Sequence, residues 1–496
     1  MAVHVRFGTD GIRGVANVDL TPDVALAVGR AVAEVLPAPE VVVGRDTRRS
    51  GAMLQAAVTA GLASRGVDVV DLGVLPTPAV AWAAAQRQVP AVVVSASHNP
   101  YADNGLKVFG PGGHKLGDAD ERAIEAVVAG ALAAAGSAGD GDWRTTGHGE
   151  ARGSGSVLGA RRGALAGSGA LVPGGSAGRS GTGVGKVVAD PRVAESYVSA
   201  VVAALEGRDL GGTAVVVDCA HGAAWQVAPD TLRRLGADVT VLGAAPDGTN
   251  INAGCGSTCP EALAEMVVTR GAALGLALDG DADRLVAVDH QGRVVSGDHL
   301  LALFAADLRS RGALAGETVV VTVMSNLGLR LALASQGIAV HETPVGDRYV
   351  LEALDAGGYV LGGEQSGHLV FRSLATTGDG LLTGVLLADL VRRSGTSLAV
   401  LADQAMTEVP QHLLNVRAAD PRSVAEQSAV TDAVARASQL LGDRGRVLVR
   451  ASGTEPLVRI MVEAVDAAVA DQVLADLRAV VEAAASSPST APAPTS

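Results

Sequence analysis

The chain has 496 residues, which is too long for one hydrophobic core and suggests three or four domains of ordinary size. Aromatic residues make up only 2% of it, so the cores must be built from valine, leucine and alanine, and stacking on aromatic rings is excluded as a general way of binding sugars or bases. The formal net charge of −13 argues against nucleic acid and anionic membranes as partners.

Strand-like and helix-like segments alternate along most of the chain. Runs of β-branched residues indicate strands, and alanine-rich stretches between them are compatible with helices. In the first unit these are strands at 40–44, 67–72 and 91–94 and helices at 24–35 and 51–64. The second and third units have predicted strands at 213–218, 238–242, 273–278, 317–323, 338–342 and 359–362. This βαβ pattern predicts α/β units with mostly parallel sheets.

The pattern divides the chain into four domains and two segments without structure. Segments poor in periodic apolar residues cannot bury enough surface to offset the entropy lost on ordering. We therefore predict domain 1 at 1–135, a flexible glycine-rich insertion at 136–185, domain 2 at 186–291, domain 3 at 292–404, a smaller domain 4 at 405–484, and a disordered tail at 485–496.

A serine-bearing loop follows the apolar run at residues 91–94. Open α/β sheets bind ligands beyond the carboxyl ends of their strands, so the Ser97 hydroxyl is expected where chemistry is usually done. We predict that Ser97 carries a phosphate. The alternative is that the loop only turns the chain, since Asn99 and Pro100 favour turns.

An acidic loop, Asp279-Gly280-Asp281-Ala282-Asp283, follows another apolar run. Carboxylates at alternate positions suit Mg²⁺, which prefers a few carboxylates together with a phosphate oxygen. A calcium-binding EF-hand is rejected because its glycine and glutamate positions hold Arg284 and His290. A solvated acidic turn is the alternative, although three close carboxylates repel one another without a cation.

Two later loops carry hydrogen-bonding and cationic groups suited to a sugar phosphate. Glu364 and Ser366 lie between glycines and could hydrogen-bond vicinal hydroxyls. A second loop has the composition of an anion nest, with Arg450, Ser452, Gly453, Thr454 and the nearby Arg459. Either loop could instead be only a polar turn.

Taken together, these loops resemble the motifs of the α-D-phosphohexomutase superfamily. The matching segments are 7–14, 95–100, 103–107, 250–257, 324–328, 363–368 and 450–456. The resemblance implies a four-domain α/β architecture, with three similar α/β domains that have mixed sheets and a smaller α+β domain, arranged around a central cleft. The insertion at 136–185 is longer than the usual connection in that family and carries none of its motifs.

The resemblance also assigns roles to residues of this chain. Ser97 matches the phosphorylated serine, and the metal set for one Mg²⁺ per active site is Ser97, Asp279, Asp281 and Asp283. The substrate-binding set is Glu364, Ser366, Arg284, Arg450, Ser452, Gly453, Thr454 and Arg459. Lys107 and His368 are the candidates for general acid and base, and Arg13 completes the catalytic set. His98 is interpreted as an oriented structural histidine.

Within the superfamily, the motifs are most similar to those of bacterial phosphoglucosamine mutases. This implies interconversion of glucosamine 6-phosphate and glucosamine 1-phosphate through phospho-Ser97 and a 1,6-bisphosphate, supplying amino-sugar nucleotide and cell-wall synthesis. The alternatives are phosphomannomutase or phosphoglucomutase activity, a phosphatase with Asp279 as nucleophile, and a sugar-phosphate sensor without catalysis.

The expected partner is a small sugar phosphate, and the oligomeric state is left open, with a homodimer among the alternatives.

We expect a cytoplasmic protein, because the N-terminus lacks the apolar core of a signal peptide and no apolar run approaches the roughly 18 residues of a membrane span. A zinc site on Cys255 and Cys259 is disfavoured, since no second cysteine or histidine pair accompanies them.

Overall fold

Four β-sheets follow one another along the chain in the computed structural model of the protein, which describes residues 6–8, 10–138, 183–452 and 456–486. In that part of the chain, no helix is both long enough and apolar enough to cross a membrane.

The first sheet is mixed, with a parallel centre and antiparallel strands on one side. Its unit consists of β1 (Ile12–Val15), α1 (Pro22–Val35), β2 (Glu40–Arg45), α2 (Gly51–Ser64), β3 (Asp68–Val74), α3 (Thr77–Arg87), β4 (Ala91–Val94), β5 (Asp103–Gly110), β6 (His114–Lys115), α4 (Asp118–Ala138) and β7 (Val187–Ala189). The strand order is β1-β5-β4-β2-β3-β7, and β6 pairs with β5. All four residues of β4 are buried, as expected for a central strand covered on both faces.

The second unit places a hairpin at the position of the acidic loop. It contains α5 (Arg192–Ala203), β8 (Ala214–Asp218), α6 (Val227–Arg234), β9 (Asp238–Leu242), α7 (Glu261–Arg270), β10 (Leu274–Leu278), β11 (Leu285–Asp289) and β12 (Val294–Val295). The order is β12-β11-β10-β8-β9. Strand β10 is parallel to β8 but antiparallel to β11, so the chain reverses direction between residues 279 and 284.

The third unit has a four-stranded sheet with the order β14-β13-β15-β16. Its elements are α8 (Gly297–Ser310), β13 (Thr318–Thr322), α9 (Leu327–Ser335), β14 (Ala339–Thr343), α10 (Asp347–Gly357), β15 (Leu361–Gly363), β16 (Leu369–Phe371), α11 (Gly380–Ser394) and α12 (Leu398–Ala405). The two strands β15 and β16 are antiparallel, and the loop between them contains Glu364, Ser366 and His368.

The fourth unit is a smaller antiparallel sheet covered by helices. It consists of β17 (Gln411–Arg417), α13 (Pro421–Glu426), α14 (Ser428–Leu441), β18 (Gly445–Ala451), β19 (Leu457–Ala464) and α15 (Ala467–Ser486). The order is β17-β19-β18. An ion pair between Arg446 and the buried Glu463 lies at its junction with the third unit, where Arg446 also donates to the carbonyls of Val323 and Ser325.

The packing of the units explains how distant loops come together. Buried residues from all three α/β units, among them Phe109, Leu276 and Leu382, form one continuous apolar cluster, whereas the fourth unit has its own core around Val430 and Ile460. The predicted fold class, three α/β domains with mixed sheets and a smaller α+β domain, is confirmed.

The domain boundaries stay predictions. Strand β7 pairs with β3 of the first sheet, so residues 187–189, which fall in the predicted domain 2, belong structurally with the first sheet. Most of the predicted insertion, 139–182, and most of the predicted tail, 487–496, lie outside the described residues.

Candidate active site

Loops that follow β4, β10 and β15 meet at one side of the three α/β units. Ser97 contacts Asp279, Lys107 contacts Asp281 and Asp283, and His368 faces Asp283. The structure therefore brings into one buried cluster residues that are up to 271 positions apart, with carboxylates, cations and a hydroxyl in direct contact.

Ser97 has a backbone conformation that serine rarely adopts. Its φ angle is 52°, in the left-handed region, which costs a non-glycine residue of order 1–3 kcal/mol unless the surroundings hold it. The Ser97 N–H donates to Ser95 Oγ at 2.9 Å, and the Ser97 hydroxyl donates to Asp279 Oδ2 at 2.5 Å. The hydroxyl is thus directed at the acidic loop.

Arg48, which the sequence analysis missed, fastens the serine loop. Its guanidinium is fully buried and donates to the carbonyls of Ser97 at 2.9 Å, Asn99 at 2.8 Å and Asp103 at 3.1 Å, and also to that of Pro100. Its Nε donates to Asp46 Oδ2 at 2.9 Å. The charged residues Asp46 and Arg48 come directly after β2, at the same sheet edge as Ser97, and this position was the signal that could have revealed the role of Arg48.

We expect Arg48→Met to lower the free energy of unfolding of the protein by about 3–5 kcal/mol, because it leaves the Asp46 carboxylate buried without its cation. Burial already raises the pKa of Asp46, and Arg48 opposes that effect. Urea unfolding checks the prediction, with Arg49→Met at the exposed neighbouring position as the control. A loss no larger than that of the control would contradict the role given to Arg48.

The three aspartates of the acidic loop form a compact and buried group. One oxygen from each of Asp279, Asp281 and Asp283 lies within 4.8 Å of the others. Gly280 allows the loop to pack against the serine loop, since a Cβ atom there would lie 2.5 Å from the Ser97 carbonyl oxygen.

The donor set fits a divalent metal ion. Within the described part of the chain, Oδ1 of Asp281 and Oδ1 of Asp283 are buried and have no hydrogen-bond partner. Burial and the two neighbouring carboxylates raise the pKa of Asp279 well above its usual range, so the charged form of Asp279 needs a further cation close to it. Hard oxygen donors in this arrangement are what Mg²⁺ and similar ions prefer.

Lys107 is buried beside the triad and stays charged. Its Nζ lies 2.8 Å from Asp281 Oδ2, 3.0 Å from Asp283 Oδ2 and 2.8 Å from Asp10 Oδ2. Burial alone would lower the pKa of Lys107, but the three carboxylates raise it well above its usual range. An ammonium group in this position can neutralise charge and donate a proton.

Asp10 holds three cations and was also missed by the sequence analysis. Its carboxylate lies 2.8 Å from Lys107, 2.5 Å from Lys115 and 2.7 Å from Arg13. Burial would raise the pKa of Asp10, but these cations lower it well below its usual range. Lys115 continues the network to Asp347 at 2.9 Å, so ion pairs link the first and third units.

The two histidines of the site differ in their surroundings. Gly378 N–H donates to His368 Nε2 at 3.1 Å, while His368 Nδ1 lies 3.9 Å from Asp283 Oδ1, beyond hydrogen-bond distance. Burial lowers the pKa of His368, but Asp283, Asp347 and Glu364 raise it overall. Burial, with Arg284 and Arg13 nearby, lowers the pKa of His98 to about 4, so His98 is neutral at pH 7.

Two arginines at the cluster have N–H groups available for an anion. The Nε atoms of Arg13 and Arg284 are buried, and neither has a hydrogen-bond partner among the residues the structure describes. Glu364 lies at the rim, where its carboxylate accepts from Gly346 N–H at 3.1 Å and from the exposed Ser366 hydroxyl at 3.4 Å.

Arg450 and Arg459 do not join this cluster but face a separate cavity. They lie directly opposite each other on β18 and β19 and line a cavity of about 240 Å³ together with Asn415 and Met324. Burial and the neighbouring guanidinium of Arg459 lower the pKa of Arg450. An anion bound there would relieve that repulsion. Ser452 lies two residues after Arg450 in the chain, and the predicted Gly453 and Thr454 lie outside the described residues.

Comparison with known proteins finds the same four-part organisation. Models of the phosphoglucomutase/phosphomannomutase family match in order: α/β/α domain I at residues 4–134, domain II at 195–292, domain III at 296–409 and the C-terminal domain at 413–480. Phosphoglucosamine mutase from Rhodococcus jostii is 50% identical over 95% of this chain and 98% of that protein. The phosphoglucosamine mutase from Desulforudis audaxviator is 49% identical over 96% of this chain and 97% of its own length.

Solved structures agree on the fold. A phosphoglucomutase/phosphomannomutase family protein from Burkholderia thailandensis superposes with a TM-score of 0.75 at 25% identity, covering 98% of both chains. Aspergillus fumigatus N-acetylphosphoglucosamine mutase, solved with GlcNAc-6P and magnesium, has a TM-score of 0.63 at 17% identity, with 97% of this chain and 96% of that chain covered.

Proposed function

Because the chain belongs to the phosphoglucomutase/phosphomannomutase family, and within it to the phosphoglucosamine mutases, we propose that it interconverts glucosamine 6-phosphate and glucosamine 1-phosphate. The observation that carries this proposal is the Ser97 hydroxyl, which is held against Asp279 of a buried three-aspartate group. This arrangement suits a serine that carries a phosphate beside a metal ion.

In the proposed reaction, phospho-Ser97 transfers its phosphoryl group to the free hydroxyl of the sugar phosphate. The serine P–O bond breaks and a P–O bond to the sugar forms; the sugar hydroxyl gives up its proton to a base, and the departing Ser97 oxygen takes up a proton from an acid. The resulting 1,6-bisphosphate then reorients and returns its other phosphoryl group to Ser97. Such transfers depend mostly on positioning and charge stabilisation, which a dense set of charged side chains can supply.

The residues around Ser97 have properties that suit these steps. Lys107 remains charged because carboxylates surround it, so we assign it to proton donation and phosphate binding. His368 has a raised pKa and is the candidate to accept the proton from the sugar hydroxyl. Arg13 and Arg284, with their available N–H groups, would contact the transferring phosphate.

We propose Mg²⁺ as the metal, held by Asp279, Asp281, Asp283 and an oxygen on Ser97. When bound, Mg²⁺ would neutralise part of the charge of the phosphoserine and the carboxylates. The chain itself supplies every side chain of this set, and the oligomeric state stays open, with a homodimer among the alternatives. We also place the enzyme in the cytoplasm, where its product would feed amino-sugar nucleotide and cell-wall precursor synthesis.

We propose that the phosphate that does not react is bound by Arg450, Arg459 and Ser452. The sugar hydroxyls would be bound by Glu364 and Ser366.

We expect Arg450→Met to raise KM about 10–100-fold, because a hydrogen bond to a charged group contributes about 1.5–3 kcal/mol. Steady-state kinetics check this, with Arg417→Met at an exposed position of the same sheet as the control. An unchanged KM would remove Arg450 from the substrate site.

Relative turnover of glucosamine, glucose and mannose phosphates tests the proposed substrate. The expected result is the highest kcat/KM for glucosamine 6-phosphate, in line with the relatives that are named phosphoglucosamine mutases. A preference for glucose or mannose phosphate would instead assign the chain to phosphoglucomutase or phosphomannomutase activity.

A further inference from the structure

Thr77, the first residue of α3, makes a contact with the acidic loop that no step of the proposed mechanism uses. Its side chain is buried, with only 1% of the residue exposed. The hydroxyl donates to Asp281 Oδ2 at 2.5 Å, and the Thr77 backbone N–H donates to the Asp281 carbonyl at 3.0 Å. A residue of the first unit therefore holds both the side chain and the backbone of one aspartate in the second unit.

The two oxygens of Asp281 have different partners. Oδ2 accepts from the Thr77 hydroxyl and from Lys107, whereas Oδ1 is the buried oxygen for which the described residues provide no hydrogen-bond donor. Two donors on one oxygen fix the plane of the carboxylate, and they leave the other oxygen to the metal ion. Groups that orient ligands in this way commonly change metal affinity when they are removed.

The Thr77 hydroxyl has no competing local task. Helix α3 begins after Pro76 without a side-chain capping hydrogen bond, so the single O–H donor of Thr77 is committed to Asp281. The hydroxyl is also neutral, unlike Lys107. Its removal would leave the net charge of the site unchanged and would affect only the orientation of Asp281.

We propose that Thr77 is a positioning residue for the metal ion, which orients Asp281 through its hydroxyl and ties the acidic loop to the unit that carries Ser97. This inference rests on the metal ion of the proposed function. It predicts that the affinity of the protein for a divalent ion depends on a neutral side chain outside the ligand set.

The test measures Mn²⁺ binding to the dephosphorylated full-length chain by electron paramagnetic resonance titration. We expect Thr77→Val to weaken Mn²⁺ binding about 10–100-fold, the usual range for loss of such a partner. Thr77→Ser keeps the hydroxyl and should bind Mn²⁺ nearly as well as the unmodified chain. If the valine variant does not fold, Thr77→Ala, which removes the hydroxyl without adding bulk, is used instead and should weaken Mn²⁺ binding by the same factor.

The outcomes separate this inference from the function on which it rests. Unchanged Mn²⁺ affinity in Thr77→Val or Thr77→Ala overturns the role of Thr77 and leaves the mutase proposal intact. Equal weakening in Thr77→Ser and Thr77→Val also overturns it, because packing rather than the hydroxyl would then set the affinity. Absence of Mn²⁺ binding by the unmodified chain would instead contradict the metal site of the proposed function.

Discussion

Ser97→Ala is expected to reduce mutase turnover by about 10⁴-fold or more, because the variant has no oxygen that can carry the phosphoryl group between the two halves of the reaction. The Ser97 hydroxyl contacts Asp279 and the His98 ring, whereas the hydroxyl of Ser95 in the same loop donates to Asp46 at 2.7 Å and is not directed at the acidic loop. A coupled assay for formation of glucosamine 1-phosphate measures the loss.

The same variant separates the mutase from a phosphatase that uses Asp279 as nucleophile. An aspartyl phosphatase would keep releasing inorganic phosphate after the Ser97→Ala replacement, whereas the proposed mutase would lose its transfer activity. Ser428→Ala, at an exposed position of α14, is the control and should keep full turnover. Full activity in Ser97→Ala would contradict the proposed mechanism.

Removal of divalent metal is the second large expected effect. A chelator should abolish turnover, and Mg²⁺ should restore it, because Asp279, Asp281 and Asp283 are buried together and repel one another without a cation. A ligand that binds only the folded state at 100 times its Kd stabilises that state by about 2.7 kcal/mol. We therefore expect Mg²⁺ to raise the unfolding temperature measurably.

Asp281→Asn should remove both the turnover and the stabilisation by Mg²⁺, since it takes one charge from the triad. Asp403→Asn, which removes an exposed carboxylate, should leave both properties as they are. Differential scanning calorimetry with and without Mg²⁺ measures the shift. If Asp281→Asn kept the same Mg²⁺-dependent shift as the unmodified chain, the triad would not be the metal site.

The parts of the fold that the sequence predicted are those with strong local patterns. The strand predicted at 238–242 coincides with β9, and the one at 273–278 differs from β10 by one residue, because both follow from continuous β-branched or apolar runs. Strands β1, β5 and β11 are among those that were missed. Glycine, aspartate and lysine interrupt β5, and strand pairing with neighbours decides its conformation, which a local pattern does not contain.

The candidate site likewise contains residues that the sequence predicted and residues that it did not. Ser97 and the three aspartates were found because each loop follows an apolar run that ends at a sheet edge. Arg48, Asp10 and Thr77 were missed because each also acts through contacts far away in the chain, such as that of Thr77 with Asp281, 204 positions later. A buried ion pair or a hydroxyl contact of this kind leaves no periodic signal in the sequence.

The network of cations explains how so many carboxylates can be buried together. Lys107 and Lys115 share the carboxylate of Asp10, and Lys115 also contacts Asp347 of the third unit. The buried charges of Asp10, Lys107, Lys115 and Asp347 therefore each have a partner of opposite sign, as the cost of burying isolated charges requires. The same contacts fix Lys107 beside the metal ligands, where the proposed transfer takes place.

Mapping of phosphate on the active full-length chain by peptide mass spectrometry tests the central claim most directly. The account predicts a single phosphate on Ser97, present in active protein and lost in parallel with activity when the protein is dephosphorylated. Phosphate on any other residue of active protein, Asp279 included, or full activity without phosphate on Ser97, would contradict the claim that Ser97 carries the phosphoryl group.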